Sequence, residues 1–424
     1  MFSRANERIA VRNRSRCKVG VHSLNDQGHI IVVALTDRPR KLVIRRSGNR
    51  TLMSNYLKHR WKPHFLLILI FGTLALASCH IFNIEQPAPS LPPYPSITPT
   101  SETSSIEFTQ AEIASLNSLQ KVDEYPLFVM HYQGPLRETT LSALEANVVP
   151  RSNFENINPT PLWACSLFTA LADPQSGVFG RNFDWEFSPA LLLFTSPPDG
   201  YASVSMVDLA YFFDAFTVTN LMDLSLKDRR PLLNTPLMPF DGLNEKGLAI
   251  GMAAVPHSPT PSDPNNKSVG SLRIIRMILD NAASVEEALT IMRSVNILWN
   301  GGPPLHYLIA DASGKAALVE FIAGEMEVLY NTNPWHQATN FLLSNYRGSE
   351  DGICNRYDVI TERLQEEQGD LSLEEALELL ADVSQSSTQW SIVYQLSTGR
   401  ISLAMGRSYS EIRSFQLEDL ALED

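Results

Sequence analysis

Cysteine is scarce in this sequence: 424 residues contain 4, at Cys17, Cys79, Cys165 and Cys354. That is too few for a disulfide scaffold. No CxxC, HExxH or Cys/His cluster with metal-ligand spacing occurs, and no GxxxxGK[ST] or GxGxxG follows a strand pattern. The sequence therefore supports neither a metal nor a nucleotide cofactor. Positive charge is thin over most of the chain, with residues 80–424 holding 19 Lys and Arg against 43 Asp and Glu. A body this acidic lacks the basic footprint of a nucleic-acid binder. No internal repeat is visible. One further absence bears on chemistry: no histidine lies between Cys165 and Trp185. A cysteine nucleophile needs a base to form its thiolate.

What the N-terminal region does contain reads as an address. Residues 1–63 carry 15 Lys and Arg against 3 Asp and Glu. The apolar run FLLILIFGTLALA at 65–77 is short for a bilayer span and suits the hydrophobic core of a signal peptide. Leu76-Ala77-Ser78-Cys79 resembles the lipobox of bacterial lipoproteins. That resemblance implies lipidation at Cys79 and a membrane anchor on the extracytoplasmic face; an uncleaved membrane anchor is the alternative. Residues 80–104 are rich in Pro, Ser and Thr and read as an extended tether. A signal peptide over 53–79, starting at Met53, has ordinary proportions. Residues 1–52 are then expected to be an over-extended start.

From residue 105 to 424 the pattern is that of one α+β domain. Residues 126–132 read as a strand, and 164–171 with 177–185 as a hairpin turning at Asp173-Pro174-Gln175-Ser176-Gly177. Strands are also expected at 247–255 and 325–330, with hairpins at 305–311/316–321 and 390–396/400–405. Ser284-Val285-Glu286-Glu287 and Ser372-Leu373-Glu374-Glu375 open helices with capping boxes. Apolar spacing adds helices over 271–282 and 357–366. Hairpins with paired helices point to layered packing instead of βαβ units. The apolar stretch 201–218 suits either core strand packing or an acyl pocket.

The missing histidine has a chemical answer. Were the Ala164–Cys165 bond broken, Cys165 would carry a free α-amine beside its thiol. Such an amine has a pKa of about 7.7–8.0, close to the ideal for a general base near neutral pH. Nucleophile and base would then be one residue. The alternative is that Cys165 is a buried structural thiol, with Arg181 and Asp184 an ion pair at a hairpin end. The five histidines after Cys79 (His80, His131, His257, His306 and His336) show no partner pattern.

Trp163-Ala164-Cys165-Ser166, Gly180-Arg181-Asn182-Phe183-Asp184 and Asp241-Gly242-Leu243-Asn244-Glu245-Lys246-Gly247-Leu248 resemble the choloylglycine hydrolase group of Ntn-hydrolases, which includes penicillin V acylases and bile salt hydrolases. The resemblance runs from about residue 120 to the C-terminus, and its most specific part is the pair of offsets from Cys165 to Arg181 and Asp184. It implies a four-layer αββα sandwich, with two antiparallel sheets between helix layers, and cleavage of a small acylated amide. Carried over, Cys165 is nucleophile and base, Asp184 orients its amine, and Arg181 favours the thiolate. Asn340 supplies the oxyanion amide, and Arg356 matches a later arginine of the pattern. Thirteen residues after Asp241, where bile salt hydrolases have Asn and penicillin V acylases Tyr, this chain has Ala254, whose backbone N–H could serve the oxyanion. The resemblance also implies self-cleavage before Cys165, with 105–164 a propeptide or retained α subunit and 165–424 the catalytic part. Rival readings are an acyltransferase of the isopenicillin type and a non-catalytic surface lipoprotein binding an acyl ligand. A papain-like protease is disfavoured for want of its Cys-Gly-Ser-Cys-Trp motif. Self-association into a homo-oligomer is left open.

Overall fold

The computed structural model describes residues 19–24, 30–34, 108–136, 164–299 and 302–420. The chain forms two units, Met1–Thr100 and Ser101–Asp424. In the first, β1 (Val19–Leu24) pairs antiparallel with β2 (Ile30–Ala34). The expected signal segment, Met53, Cys79 and the tether lie outside the described residues.

The second unit is built on two large sheets. The nine-stranded sheet contains β3 (Gln120–Asp123), β4 (Leu127–Tyr132), β7 (Ala190–Thr195), β8 (Ser203–Asp208), β9 (Asp241–Asn244), β10 (Ala249–Ala254), β13 (Leu305–Ala310), β14 (Ala316–Ile322) and β15 (Glu325–Tyr330). Its order is β15-β14-β13-β10-β9-β8-β7-β4-β3. The six-stranded sheet contains β5 (Ser166–Ala170), β6 (Val178–Asp184), β16 (Trp335–Ala338), β17 (Thr388–Gln395), β18 (Arg400–Met405) and β19 (Arg413–Gln416), in the order β16-β5-β6-β17-β18-β19. A small parallel pair, β11 (Lys267–Gly270) and β12 (Val295–Leu298), stands apart.

The helices are α1 (Gln110–Asn117), α2 (Ala215–Thr219), α3 (Arg273–Asn281), α4 (Val285–Arg293), α5 (Asn355–Glu366) and α6 (Leu373–Asp382). The α3 helix packs on β9 and β10, and α4 on β13. On the other sheet, Ile360 and Leu364 of α5 and Leu377 and Leu380 of α6 close over Phe168, Val178 and Val393. The two sheets meet between these helix layers, giving the expected helix–sheet–sheet–helix sandwich. At Gly251 of β10 the lack of a side chain lets them come close. A Cβ there would lie 2.8 Å from Leu167 Cδ2 and 3.1 Å from the Phe179 ring.

Three details depart from the sequence reading. The nine-stranded sheet is mixed, because β4 pairs parallel with β7 over six residues. Between those strands the chain leaves to build the β5–β6 hairpin in the other sheet, so its return is free to run in the same direction. The 201–218 stretch is a core strand only in part, at β8, and then breaks into short helical turns ending in α2. Ser372 and Glu375 form the full capping box. At α4, Ser284 caps the Glu287 amide, but the Glu287 carboxylate reaches one residue further back, to the Ala283 amide.

A second apolar cluster lies on the half of the nine-stranded sheet covered by α1 and the 3-10 segment Arg230–Leu237. Leu116 and Leu119 pack there against Phe128 and Met130 of β4 and Leu191 and Leu193 of β7.

Candidate active site

The β5–β6 hairpin brings the first three residues together. Ser166 pairs with Asn182 and Leu167 with Arg181, and the Ala164 amide donates to the Asp184 carbonyl at 3.4 Å. Side chains alternate across a strand, so Cys165, Leu167, Arg181 and Phe183 face the nine-stranded sheet. Asp184 turns to the other face, beside the main chain of Cys165. All three are buried, and Cys165 is a free thiol.

Burial pushes the Cys165 thiol up. The Arg181 and Arg356 guanidiniums and the Asp184 backbone amide oppose that rise, while the Asp184 carboxylate adds to it. With Cys165 inside an intact chain the thiol therefore stays protonated, as the lack of a neighbouring histidine led one to expect. Burial also pushes the Asp184 carboxyl up to about 6, against the Thr388 hydroxyl, Arg356 and Arg181, which pull it down. The Thr388 hydroxyl donates to Asp184 Oδ1. Asp184 Oδ2 is buried and has no hydrogen-bond partner. A buried carboxylate oxygen without a donor is costly and calls for an explanation.

Arg181 does not pair with Asp184. Its Nη1 forms a fully buried ion pair with Asp241 and donates to the Phe240 carbonyl at 2.8 Å. Tyr394 donates to the other oxygen of Asp241, and the guanidinium lies 5.1 Å from the Phe183 ring centroid. Arg181 thus acts on the thiol as a fixed charge in a low-dielectric setting.

Arg356, in the first turn of α5, reaches back 192 residues. Its Nη1 donates to the Ala164 carbonyl at 2.5 Å, to the Cys165 carbonyl, and to Ser166 Oγ at 3.0 Å. Its Nη2 donates to Asn340 Oδ1 at 2.9 Å. Asn340 Nδ2 in turn donates to the Ala254 carbonyl at 2.8 Å. The two expected oxyanion contributors therefore touch, through the Ala254 carbonyl, and one Asn340 amide hydrogen remains for another acceptor. The Asn244-Glu245-Lys246-Gly247-Leu248 run is a structural turn: Asn244 accepts from the Lys246 and Leu248 amides and donates to the Leu279 and Ala282 carbonyls. Gly247, at φ +77°, passes so close to Leu396 that a Cβ would lie 2.6 Å from its carbonyl oxygen.

The structure thus gathers Cys165, Arg181, Asp184, Ala254, Asn340 and Arg356. Asp241, Tyr394 and Thr388 were given no role by sequence reasoning. Asp241 opened a quoted motif and could have been suspected. Thr388 reaches Asp184 only through the β6–β17 pairing, from 204 residues away. No group of three or more His, Cys, Asp or Glu able to hold a metal occurs among the described residues, and none of their helices is long and apolar enough to cross a membrane.

Residues 165–361 match the family described as linear amide C–N hydrolases, choloylglycine hydrolase family. Among solved structures, the chain is similar to a mutant conjugated bile acid hydrolase from Clostridium perfringens. The two share 16% identity over 60% of this chain and 93% of that one, with a TM-score of 0.45. It is also similar to penicillin V acylase from Agrobacterium tumefaciens, at 16% identity over 61% of this chain and 89% of that one, with a TM-score of 0.43.

Proposed function

We propose that this chain is a hydrolase of linear amides that acts through Cys165 after cutting its own Ala164–Cys165 bond, a reading supported by the match of residues 165–361 to the choloylglycine hydrolase family of linear amide C–N hydrolases. One observation carries this reading: Arg356 Nη1 sits 2.5 Å from the Ala164 oxygen, the carbonyl of the bond to be cut.

In the first stage, Cys165 Sγ attacks the Ala164 carbonyl carbon and the new oxyanion is held by Arg356. Collapse breaks the C–N bond, the amide nitrogen takes the thiol proton, and a thioester remains. Water hydrolyses it, leaving a carboxylate at Ala164 and a free amine and thiol at Cys165. The new ammonium would supply the donor that Asp184 Oδ2 lacks in the uncut chain.

In the second stage, the amine takes the thiol proton and the thiolate attacks the carbonyl of an acylated amide. Arg181, fixed by Asp241, favours the thiolate. Asn340 and the Ala254 N–H hold the oxyanion, the protonated amine donates to the leaving nitrogen, and water releases the acid. The piece before Cys165 stays in place, because β4 pairs with β7 over six residues and its apolar side chains are buried. We further propose that Cys79 anchors the protein by lipid on the extracytoplasmic face, with its signal at 53–79.

Intact-mass measurement and N-terminal sequencing of the purified chain test the first stage. A fragment beginning at Cys165 is expected, and Cys165→Ala should abolish both this cut and amide hydrolysis. An uncut chain that still hydrolyses amides would overturn the mechanism. Penicillin V, a conjugated bile acid and a long-chain N-acyl amide, each with and without an added amine, sort the substrate. Acyl transfer to the amine in place of water would make the protein an acyltransferase.

A further inference from the structure

Arg356 donates to Asn340, and the residues on either side of Asn340 are held by two residues to which the mechanism gives no part. His306 of β13 and Glu320 of β14 are both buried. His306 Nε2 is 2.7 Å from the Thr339 carbonyl and Nδ1 is 3.2 Å from Glu320 Oε1. His306 thus stands between the Thr339 carbonyl and the Glu320 carboxyl group. Glu320 then accepts the Leu343 amide at 2.7 Å on one oxygen and the Ser344 amide at 2.9 Å on the other. Burial pushes the Glu320 carboxyl up, but the hydrogen bond and charge of His306 and the Ser344 amide outweigh it and hold it below its usual range.

The pair therefore grips the 339–344 segment at both ends. Thr339 immediately precedes Asn340, and Leu343 and Ser344 follow it closely. The nearby His336 takes no part in this grip. Its Nδ1 accepts from the Gln337 amide and its Nε2 donates to the Leu329 carbonyl.

We propose that His306 and Glu320 are positioning residues: they fix the 339–344 segment so that Asn340 keeps Arg356 on the reacting carbonyl. This builds on the self-cleavage reading above. Two sheet strands hold Thr339, Leu343 and Ser344 from behind, and Asn340 between them holds the guanidinium by one hydrogen bond. A buried network of this kind fixes geometry, because displacing His306 or Glu320 leaves a polar group unpaired. A shift of about 1 Å in a reacting geometry can cost on the order of 100-fold in rate.

The test follows cleavage of the Ala164–Cys165 bond over time in full-length chain made by cell-free translation, read by intact mass. Four chains form a cycle: wild type, His306→Leu, Asn340→Ala and the double variant. His306→Leu is expected to slow cleavage by about 10–100-fold in the wild-type background, and by less than about threefold once Asn340 is already gone. Tyr307→Phe serves as the control for stability alone. It removes one hydrogen bond on the same strand, from the Tyr307 hydroxyl to the Ser271 carbonyl, and should cleave at the wild-type rate. Equal slowing of His306→Leu in both backgrounds, or none in either, overturns the proposal. If His306→Leu does not fold, Glu320→Gln takes its place in the same cycle. A wild-type chain that stays whole sinks the self-cleavage reading itself and this one with it, so the two failures are told apart.

Discussion

The unpartnered oxygen of Asp184 makes a quantitative prediction about the uncut chain. In a Cys165→Ala background the bond before residue 165 stays intact and no ammonium is available to Asp184. Its carboxyl then titrates at about 6, against an ordinary 3.8, because it is buried. A carboxyl raised in the folded state supports the fold only while protonated. That contribution is full below about pH 4 and is lost as pH rises through 6. The displacement of roughly two units corresponds to about 3 kcal/mol at 1.36 kcal/mol per unit. Asp184→Asn removes the titration and keeps an acceptor for Thr388. The difference in unfolding free energy between the Asn variant and its Asp parent should thus move by about 3 kcal/mol in favour of Asn between pH 4 and pH 8. Urea unfolding at the two pH values reads this directly. Any pH-independent cost of the Asn amide cancels in the comparison. A flat difference, or one favouring Asp at high pH, refutes the argument. In the cut protein the sign should reverse, since pairing with the new ammonium lowers the carboxyl.

Three more outcomes follow from the same geometry. Arg356→Gln should slow cleavage before Cys165 by on the order of 100-fold, as loss of an oxyanion donor does elsewhere, measured by the time course of intact mass. Asp241→Asn leaves the fully buried Arg181 guanidinium without its counter-charge and should cost about 3–5 kcal/mol in urea unfolding. Gly251→Ala puts a methyl against Leu167 and Phe179 where the sheets meet. It should cost about 1–3 kcal/mol by overpacking, and an unchanged denaturation midpoint would mean that the two layers can separate freely there.

The sequence carried the hairpin of Cys165, Arg181 and Asp184 because all three lie on neighbouring strands with a turn between them, so offset alone brings them together. It carried most strands of the nine-stranded sheet where glycine turns bound them. It did not carry β7, ALLLFT, whose residues are all buried. A strand covered on both faces loses the alternation that would announce it. The α1 helix leaves little trace in the sequence although Thr109-Gln110-Ala111-Glu112 forms a complete capping box, because only two of its eight residues are buried and no apolar stripe stands out. Asp241, Tyr394 and Thr388 escaped for a different reason. Each reaches the site across a sheet or between sheets, and nothing local to any of them marks its partner.

The parallel pairing of β4 with β7 changes what severing one peptide bond would do to the molecule's moorings. The lipid proposed at Cys79 belongs to the piece before the cut, and the nucleophile to the piece after it. Once the bond is broken, no covalent path joins the enzyme to its anchor. The hold is then the β4–β7 ladder with Leu116, Leu119, Leu127, Phe128 and Met130 buried around it, on the order of 10 kcal/mol of gross apolar burial. Salt washes should leave such an enzyme on the membrane, whereas mild denaturant should release the catalytic chain and leave its lipidated partner behind.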